Sequence, residues 1–301
     1  MVRISEMYRF QATQNRINMN RAHADEVQET ATSGRKLRKV SDDPVSAVRA
    51  LRNRSKLDNI QEYKKTIDFA SGYLQKTEDA LRGITEALIR GKELCIQQAS
   101  GTWDEKTREI VASEVKQIGD QIVELGNSTY GDKFVFGGFR STTPPVDSEG
   151  HFLGDDGVIY VQITDDFFRP INISGRDLFE IESTEEGKQL PLVQVFRKLE
   201  YALRNDDLND IHGLMGKLDA SIEKVVSLTS SLGARRSNLD NLTSMNEREE
   251  EQTYLENNRI ESADFVESAM NLKTAETSLN YTLNSSAKLL SPSLLQFLGG
   301  S

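Results

Sequence analysis

Residues 60–95, IQEYKKTIDFASGYLQKTEDALRGITEALIRGKELC, repeat an apolar residue at every seventh position. The repeat begins at Ile60 and ends at Cys95, and a second set three positions later includes Ala70 and Ile84. A seven-residue apolar repeat that persists over four or more heptads is typical of helices that pack along a left-handed seam. The stretch therefore predicts one long helix with a narrow buried face.

The same repeat returns later in the chain, from Ile211 to Leu239. Between the two repeats lie two shorter segments with helical spacing, residues 111–125 and 192–203, and one segment without it. Because two long helices with matching seams are separated by other elements, the chain must run out, turn back and return. We expect a mainly α protein, an elongated antiparallel coiled-coil rod with paired terminal helices and a small inserted β domain.

The segment without helical spacing is rich in turn-forming residues. Residues 131–187 hold eight of the 20 Gly and three of the six Pro, and residues 158–164 alternate in polarity. Alternation between Gly- and Pro-rich turns is typical of short strands, so this segment predicts a small β domain. Further short strands are predicted at residues 134–136, 171–173 and 178–179.

These patterns divide the chain into three domains. Residues 1–42 and 258–301 are expected to form a terminal domain in which the N-terminal and C-terminal helices pair. Residues 43–130 and 190–257 are expected to form the helical rod. Residues 131–189 are expected to form the β domain at the far end of the rod.

Both termini carry an apolar stripe at helical spacing that has no obvious partner within the rod. Charge favours pairing of the termini, because residues 1–60 hold 12 Lys and Arg against 7 Asp and Glu, whereas residues 240–301 hold 4 against 10. Solvated faces without a directed role are the alternative interpretation of these charges. Since an exposed Leu stripe marks an interaction site, we expect an assembly interface that neighbouring subunits complete. Its predicted residues are Ile4, Met7, Phe10, Ile17, Phe265, Leu272, Leu279, Leu283, Leu290, Leu294 and Phe297.

Composition argues against several classes of protein. No apolar run approaches the roughly 18–20 residues of a membrane helix, and residues 1–15 lack the apolar core of a cleaved secretory signal. The single Cys excludes a disulfide framework and a Cys-based zinc site. A net charge of −10 argues against nucleic acid as the main partner.

No group of residues has the spacing of a catalytic or metal site. His23, His151 and His212 are far apart in the sequence, and the Asp pairs at 155–156 and 165–166 lack the spacing of a calcium-binding EF-hand loop. We therefore predict no enzyme activity, no cofactor, no metal, and neither nucleic acid nor membrane as a partner.

Three motifs resemble signatures of the flagellin-like family of bacterial flagellar proteins. They are Ser33-Gly34 followed by Ser41-Asp42-Asp43-Pro44, then LGARRSNL at residues 232–239, then RIESADF at residues 259–265. Their order and spacing are similar to those of the family over both flanks of the chain. The signature residues are Ser33, Gly34, Ser41, Asp42, Asp43, Pro44, Leu232, Gly233, Arg235, Arg259, Ile260 and Asp264.

The resemblance implies a structural protein of the bacterial flagellum, exported unfolded by the flagellar type III system. The first five residues, the Asp-Asp-Pro form and the length are most similar to family members that join the hook to the filament. The implied location is therefore the hook–filament junction, outside the cell. The implied partners are the first hook-associated protein, flagellin, further copies of the chain in a ring-like layer, and an export chaperone.

Two alternatives to a junction protein stay open. The first is a flagellin, which is the filament subunit, although a flagellin usually opens with an Asn-rich apolar stretch that is absent here. The second is a secreted binding protein that acts through its β domain.

Overall fold

The computed structural model describes residues 2–99, 104–164, 167–182 and 189–298, and it is mainly helical. The helices within these ranges are α1 (Val2–Ser33), α2 (Pro44–Gln98), α3 (Glu105–Gly126), α4 (Gly175–Phe179), α5 (Leu192–Asn205), α6 (Leu208–Glu261) and α7 (Phe265–Leu298). The strands are β1 (Thr129–Tyr130), β2 (Lys133–Phe134), β3 (Tyr160–Thr164), β4 (Phe167–Pro170), β5 (Glu180–Glu182) and β6 (Gln189–Pro191). The predicted mainly α class with a small β part is confirmed.

The chain divides into two compact units. Unit 1 comprises residues 1–58 and 249–301, and unit 2 comprises residues 59–248. The finer division of the sequence into three domains stays a prediction.

Unit 2 buries the seven-residue repeat of both long helices. In α2 the repeat positions from Ile67 to Leu88 are buried, and in α6 those from Ile211 to Leu239 are buried in the same cluster. Lys92 Nζ lies 2.5 Å from a carboxylate oxygen of Asp219, and Arg236 lies 3.0 Å from Glu78. Because residue numbers rise along α2 as they fall along α6, the two helices are antiparallel in unit 2, as predicted.

In unit 2, α3 and α5 also pack against the core that α2 and α6 form. Val115 and Ile122 of α3 are buried, as are Phe196 and Leu199 of α5. The Phe196 ring also lies against α2 at Gly91, where a Cβ would come within 2.5 Å of the ring. A side chain at position 91 would therefore push α5 away from α2.

Cys95 belongs to this core. Burial raises the pKa of its thiol to about 12, so the group stays protonated at neutral pH. A protonated buried thiol is unreactive, which is consistent with a packing role.

The β part consists of three separate antiparallel strand pairs, β1–β2, β3–β4 and β5–β6. The strand predicted at 134–136 is confirmed only at Phe134, the last residue of β2, and two further strand predictions were wrong. Residues 178–179 end helix α4, where the Phe179 ring packs edge-to-face on Phe136 at 5.8 Å. Residues 171–173 form no strand, because the Asn172 side chain bonds to the backbone at Gly157 and Ile159. Residues 165–166, which carry one of the Asp pairs, lie outside the described residues.

Candidate assembly surface

The first signature motif in unit 1 ends one helix and starts the next. Gly34 follows the last residue of α1 with φ +64°, and its N–H donates to the Thr30 carbonyl at 3.0 Å. This is the left-handed conformation that glycine adopts without a Cβ penalty at the end of a helix. The side chain of Ser33 bonds to the N–H of Arg35 at 3.3 Å, so Ser33 and Gly34 together turn the chain out of α1.

The residues Asp42, Asp43 and Pro44 start α2. The Asp43 carboxylate accepts from the N–H groups of Val45 and Ser46 at 3.1 Å each, which is the geometry of a helix N-cap. Pro44 takes the first helical position, where its missing N–H costs nothing. The Ser46 hydroxyl, which also donates to this carboxylate, lowers the pKa of Asp43.

Asp42 closes the loop that precedes α2. Its carboxylate accepts from the Lys39 N–H at 2.8 Å and from the Arg38 N–H at 3.3 Å. The Lys39 N–H is the main cause of a lowered pKa of Asp42. Ser41 lies exposed in this loop.

The third signature motif lies at the junction of α6 and α7, also in unit 1. Asp264 caps α7, because its carboxylate accepts from the Val266 N–H at 2.8 Å and from the Glu267 N–H at 3.1 Å. Arg259 and Ile260 lie in the last turn of α6, Arg259 exposed and Ile260 half-buried.

A backbone bridge brings the first and third motifs together. The Lys36 N–H donates to the Glu261 carbonyl at 2.8 Å, and the Ala263 N–H donates to the Gly34 carbonyl at 2.9 Å. The end of α1 and the α6–α7 junction therefore lie side by side, as an isolated antiparallel pair between Arg35 and Ser262.

An ion pair locks this arrangement. The guanidinium of Arg54 donates to both carboxylate oxygens of Glu261, at 2.9 and 2.7 Å, and Asn257 donates to the same carboxylate at 3.0 Å. The Glu261 side chain is 11% exposed, and its partner Arg54 is the main cause of its lowered pKa. Glu261 and Arg54 are functional candidates that the sequence analysis missed. In the sequence, Glu261 is one of several Glu residues of α6, and nothing in its spacing distinguishes it from the others.

The second signature motif belongs to unit 2. Leu232 is buried at a position of the seven-residue repeat, whereas Gly233 is exposed with open space around it. Arg235 donates to the Asn172 carbonyl at 2.6 Å and so ties α6 to the β part of unit 2. These contacts explain the motif as a packing feature of unit 2.

The terminal helices α1 and α7 pair in unit 1, as predicted. The Asn20 side chain donates to the Thr282 hydroxyl at 2.6 Å, and the buried positions along the pair are small residues, including Ala24, Ala275 and Ser286. Small residues let two helices approach closely but bury little apolar surface. The two helices therefore lie close together, but their contact buries only a narrow strip of apolar surface.

The predicted interface residues fall into three groups. Ile17, Leu272 and Leu279 are half-buried, and Leu272 and Leu279 share the face of α7 that holds buried Ala275. Large side chains at four other predicted positions are exposed: Met7, Phe10, Phe265 and Leu283. The side chains of Ile4, Leu290, Leu294 and Phe297 lie outside the described residues. The role of all of them in assembly stays a prediction.

The sequence analysis missed several further exposed apolar residues of the pair. They are Tyr8, Met19, Val266, Met270 and Tyr281. They lie between the positions of the predicted stripes, most of them on other faces of the two helices. Their exposure makes the surface of the pair more apolar than the predicted stripes alone.

No helix in the described ranges is long and apolar enough to cross a membrane. Within the same ranges, no three His, Cys, Asp or Glu residues are grouped so that they could hold a metal ion.

Comparison with known proteins connects this geometry to the flagellum. Residues 4–139 match the model of the bacterial flagellin N-terminal helical region. Flagellar hook-associated protein 3 of Salmonella typhimurium is 24% identical over 180 residues, which are 59% of this chain and 57% of that protein. The flagellar filament 41 kDa core protein of Borreliella burgdorferi is 26% identical over 109 residues, which are 36% of this chain and 32% of that protein.

The fold is also similar to a solved flagellar structure. The flagellar junction protein FlgL from Legionella pneumophila matches with a TM-score of 0.60 at 14% identity, over 71% of this chain and 99% of that chain. The matched region spans only 57% of the hook-associated protein of Salmonella typhimurium. The chain is thus similar to flagellar hook-associated protein 3, and its residues 4–139 match the flagellin N-terminal helical region. The relatives are named as a flagellar hook-associated protein, a flagellar filament core protein and a flagellar junction protein.

Proposed function

We propose that this chain is the structural junction protein between the hook and the filament of a bacterial flagellum. It joins the first hook-associated protein to flagellin, forms a ring-like layer with its own copies, and reaches this place through the flagellar type III export system with the help of a chaperone. The observation that carries the proposal is the narrow pair of α1 and α7, which leaves large apolar side chains exposed on a chain similar to hook-associated protein 3.

The exposed side chains of the terminal pair support an assembly role for a physical reason. A soluble monomer gains nothing from exposed Phe10, Phe265 and Leu283, since each fully buried side chain of this size contributes about 1.5–3 kcal/mol. Neighbouring subunits that cover these residues would supply that free energy upon assembly. The α1–α7 pair is therefore expected to bind neighbouring subunits rather than to stabilise the monomer.

An experiment in the source bacterium tests this role. The variant Phe10→Ser/Leu283→Ser is expressed from the native promoter in a strain whose chromosomal copy is deleted. We expect normal hooks, loss of filaments and release of flagellin into the medium. The control Tyr160→Ser/Tyr201→Ser removes exposed aromatic residues from unit 2 and should restore motility.

One result would count against the proposal. Motile cells that carry the terminal-pair variant would show that the exposed residues of α1 and α7 are not needed at the junction. Secretion of the variant must be measured in the same cultures, because a variant that stays in the cytoplasm would show an export defect in place of an assembly defect.

The flagellin alternative is favoured by one observation, the match of residues 4–139 to a flagellin region. A filament subunit polymerises into long filaments when seeded, whereas a junction protein stops after a short layer. Electron microscopy of the purified chain after seeding with hook fragments separates the two functions. Long filaments made of this chain alone would favour the flagellin.

The structure also determines how the second alternative, a binding protein that acts through its β domain, can be tested. Deletion of residues 131–189 would remove Phe136, Ile163 and Phe179 from the core of unit 2. Loss of function after such a deletion would therefore report unfolding. Surface substitutions such as Tyr160→Ser are the sharper test, because they leave that core intact.

A further inference from the structure

Unit 2 carries a pocket whose walls come from α2, β4 and α6. Its volume is about 410 Å³, within the range of about 300–1,000 Å³ that small-molecule sites occupy. The floor is apolar, because Leu74 of α2 and Leu239 of α6 line it and both are buried repeat positions. Pro170 of β4 and Ala234 of α6 extend this apolar surface. The pocket therefore offers a surface that an apolar group of a ligand would cover.

Two arginine side chains, Arg169 of β4 and Arg235 of α6, also line the pocket. Arg235 Nη1 donates to the carbonyl of the buried residue Asn172 at 2.6 Å. The guanidinium carbon of Arg169 lies 5.7 Å from the centre of the Phe167 ring. A carbonyl and a ring face orient a guanidinium group, but neither removes its positive charge. Both cations are therefore held in place in the wall of the pocket.

These two arginines lack the carboxylate partners that other arginines of unit 2 have. Within the described residues, no Asp or Glu lines the pocket and neither guanidinium group forms an ion pair. Arg236, the next residue of α6, lies 3.0 Å from Glu78 and does not line the pocket. The chain holds 47 Asp and Glu against 37 Lys and Arg, so composition does not explain two arginines together without a carboxylate. Their charge favours an anionic ligand.

The donors and the floor together select the class of anion. A planar guanidinium group presents parallel N–H groups that match a carboxylate or a phosphate. A phosphate ion has no apolar part to cover Leu74 and Leu239, whereas an apolar group gains free energy by covering them. The exposed residues Ser231 and Asn238 add a hydroxyl and an amide to the lining, which suit further polar atoms of a ligand. An organic carboxylate with an apolar group matches all of these features.

We propose that this pocket binds a small organic carboxylate. Its carboxylate group accepts hydrogen bonds from Arg169 and Arg235, and its apolar group lies on Leu74 and Leu239. Because the lining comes from α2, β4 and α6, the ligand ties the β part of unit 2 to both long helices. A ligand that binds only the folded state stabilises that state. This site goes beyond the proposed junction function, which depends on unit 1.

Methyl NMR spectroscopy of the full chain tests the proposal with benzoate as the probe. Benzoate carries its carboxylate on a flat apolar ring, and its amide, benzamide, has nearly the same shape without the charge. We expect benzoate to shift the methyl signals of Leu74 and Leu239 in a saturable manner, with a Kd of about 1 mM or lower. Benzamide should bind at least about tenfold more weakly, since it lacks the charge that the guanidinium groups recognise.

Two variants at the pocket and one control beside it locate the binding. Arg169→Gln removes an exposed cation that contacts the Phe167 ring, and it should weaken benzoate binding about tenfold. Arg235→Lys keeps the charge and a donor for the Asn172 carbonyl but loses the planar fork, so it should weaken binding about threefold or more. The control Arg236→Gln makes the same charge change as Arg169→Gln outside the pocket lining, and at 0.15 M salt it should change the Kd by less than about twofold. Circular dichroism must show the same helix content in every variant.

Four outcomes would overturn the inference. They are the absence of a saturable shift at Leu74 and Leu239, equal binding of benzamide and benzoate, benzoate binding that is unchanged in Arg169→Gln and Arg235→Lys, and a loss in Arg236→Gln as large as in Arg169→Gln. Inorganic phosphate that displaces benzoate with an equal Kd would likewise overturn it, because the apolar floor would then play no part. The proposed junction function is measured separately, by filament attachment in cells.

Discussion

The portions of α2 and α6 that belong to unit 2 continue the same seven-residue repeat as the portions in unit 1, but they bury different residues. In unit 2 the repeat positions up to Leu239 hold apolar residues such as Leu81 and Leu232, which are fully buried, and polar Asn246 takes the next position. In unit 1 the corresponding positions hold Asn53, seven residues before Ile60, and Thr253, fourteen after Leu239. The repeat therefore changes from apolar to polar within each helix.

This change alters what holds each unit together. Burial of a Leu in unit 2 is favourable by about 1.5–3 kcal/mol. In unit 1 the Nδ2 atom of Asn53 is buried, and no group in the described ranges accepts a hydrogen bond from it. Since an unpaired buried amide costs about 1–3 kcal/mol, unit 1 depends on the Arg54–Glu261 ion pair and on helix caps. Within the described residues, unit 2 also holds unpaired buried amides, at Gln98 and Asn246, but its large buried apolar cluster outweighs them, whereas unit 1 lacks such a cluster and is suited to gain stability from neighbours.

The largest expected effect is on the core of unit 2. Leu81→Ala removes a side chain with no exposed surface and should reduce the free energy of unfolding by about 2–5 kcal/mol. The matched change in unit 1, Leu283→Ala, should reduce it by less than about 1 kcal/mol, since that side chain is already exposed. Urea denaturation followed by circular dichroism measures both. Equal losses of unfolding free energy in the two variants would mean that the two units are stabilised in the same way.

A smaller effect is expected at the ion pair of unit 1. Glu261→Gln removes the charge but keeps the shape, and it should make local opening easier by about 1 kcal/mol, because the Arg54 side chain is half exposed and partly screened. The amide of Lys36, which donates to the Glu261 carbonyl, reports this opening by hydrogen exchange. Glu78→Gln, at a partly buried ion pair of unit 2, is the control and should leave the exchange of Lys36 unchanged.

The same pair predicts a pH dependence that is confined to unit 1. The Arg54 guanidinium lowers the pKa of Glu261 below its ordinary value of 4.5. A carboxylate with a lowered pKa stabilises the fold fully above its unfolded pKa, and this contribution is lost as the pH falls through the folded value. Exchange of the Lys36 amide, taken relative to its intrinsic rate at the same pH, should therefore accelerate below about pH 4.5 in the unmodified chain. In Glu261→Gln the extra acceleration should be absent, and its persistence would show that another group is responsible.

The smallest predicted effect is a gain. Asn53→Leu replaces a buried unpaired amide by an apolar group, which makes the repeat of unit 1 more like that of unit 2. We expect local stability in unit 1 to rise by about 1 kcal/mol. The exposed neighbouring substitution Ser55→Leu should give no gain, and a loss with Asn53→Leu would mean that the amide has a partner in solution.

The spacing of apolar residues predicted the long helices, since each of them buries a single apolar face. The heptads of α2 and α6 and the glycine at the end of α1 were identified correctly, because each depends on local spacing or on a local backbone conformation. The strand predictions at 171–173 and 178–179 failed because the alternation of buried residues came from tertiary contacts, such as Phe179 on Phe136. Short buried segments do not distinguish a strand from a helix by spacing alone.

The candidate surfaces were only partly predictable. The spacing of apolar residues predicted the stripes on α1 and α7. How far each side chain is buried depends on the partner helix, however, and Leu279 is half-buried whereas Leu283 is exposed. An apolar groove in unit 1 is lined by Val40 from a loop and by Leu51 from the start of α2, and no linear pattern joins the two residues. The Arg54–Glu261 pair joins residues 207 positions apart, which a single sequence does not reveal.

Native-state hydrogen exchange of the full chain at low protein concentration, which disfavours association, tests the contrast between the two units most directly. We predict slow exchange, limited by global unfolding, for residues 67–95 and 211–239. We predict exchange faster by orders of magnitude for α1 and α7, because the terminal pair opens locally. Equal protection of the terminal helices and of the core of unit 2 would contradict the claim that unit 1 is completed only by its neighbours.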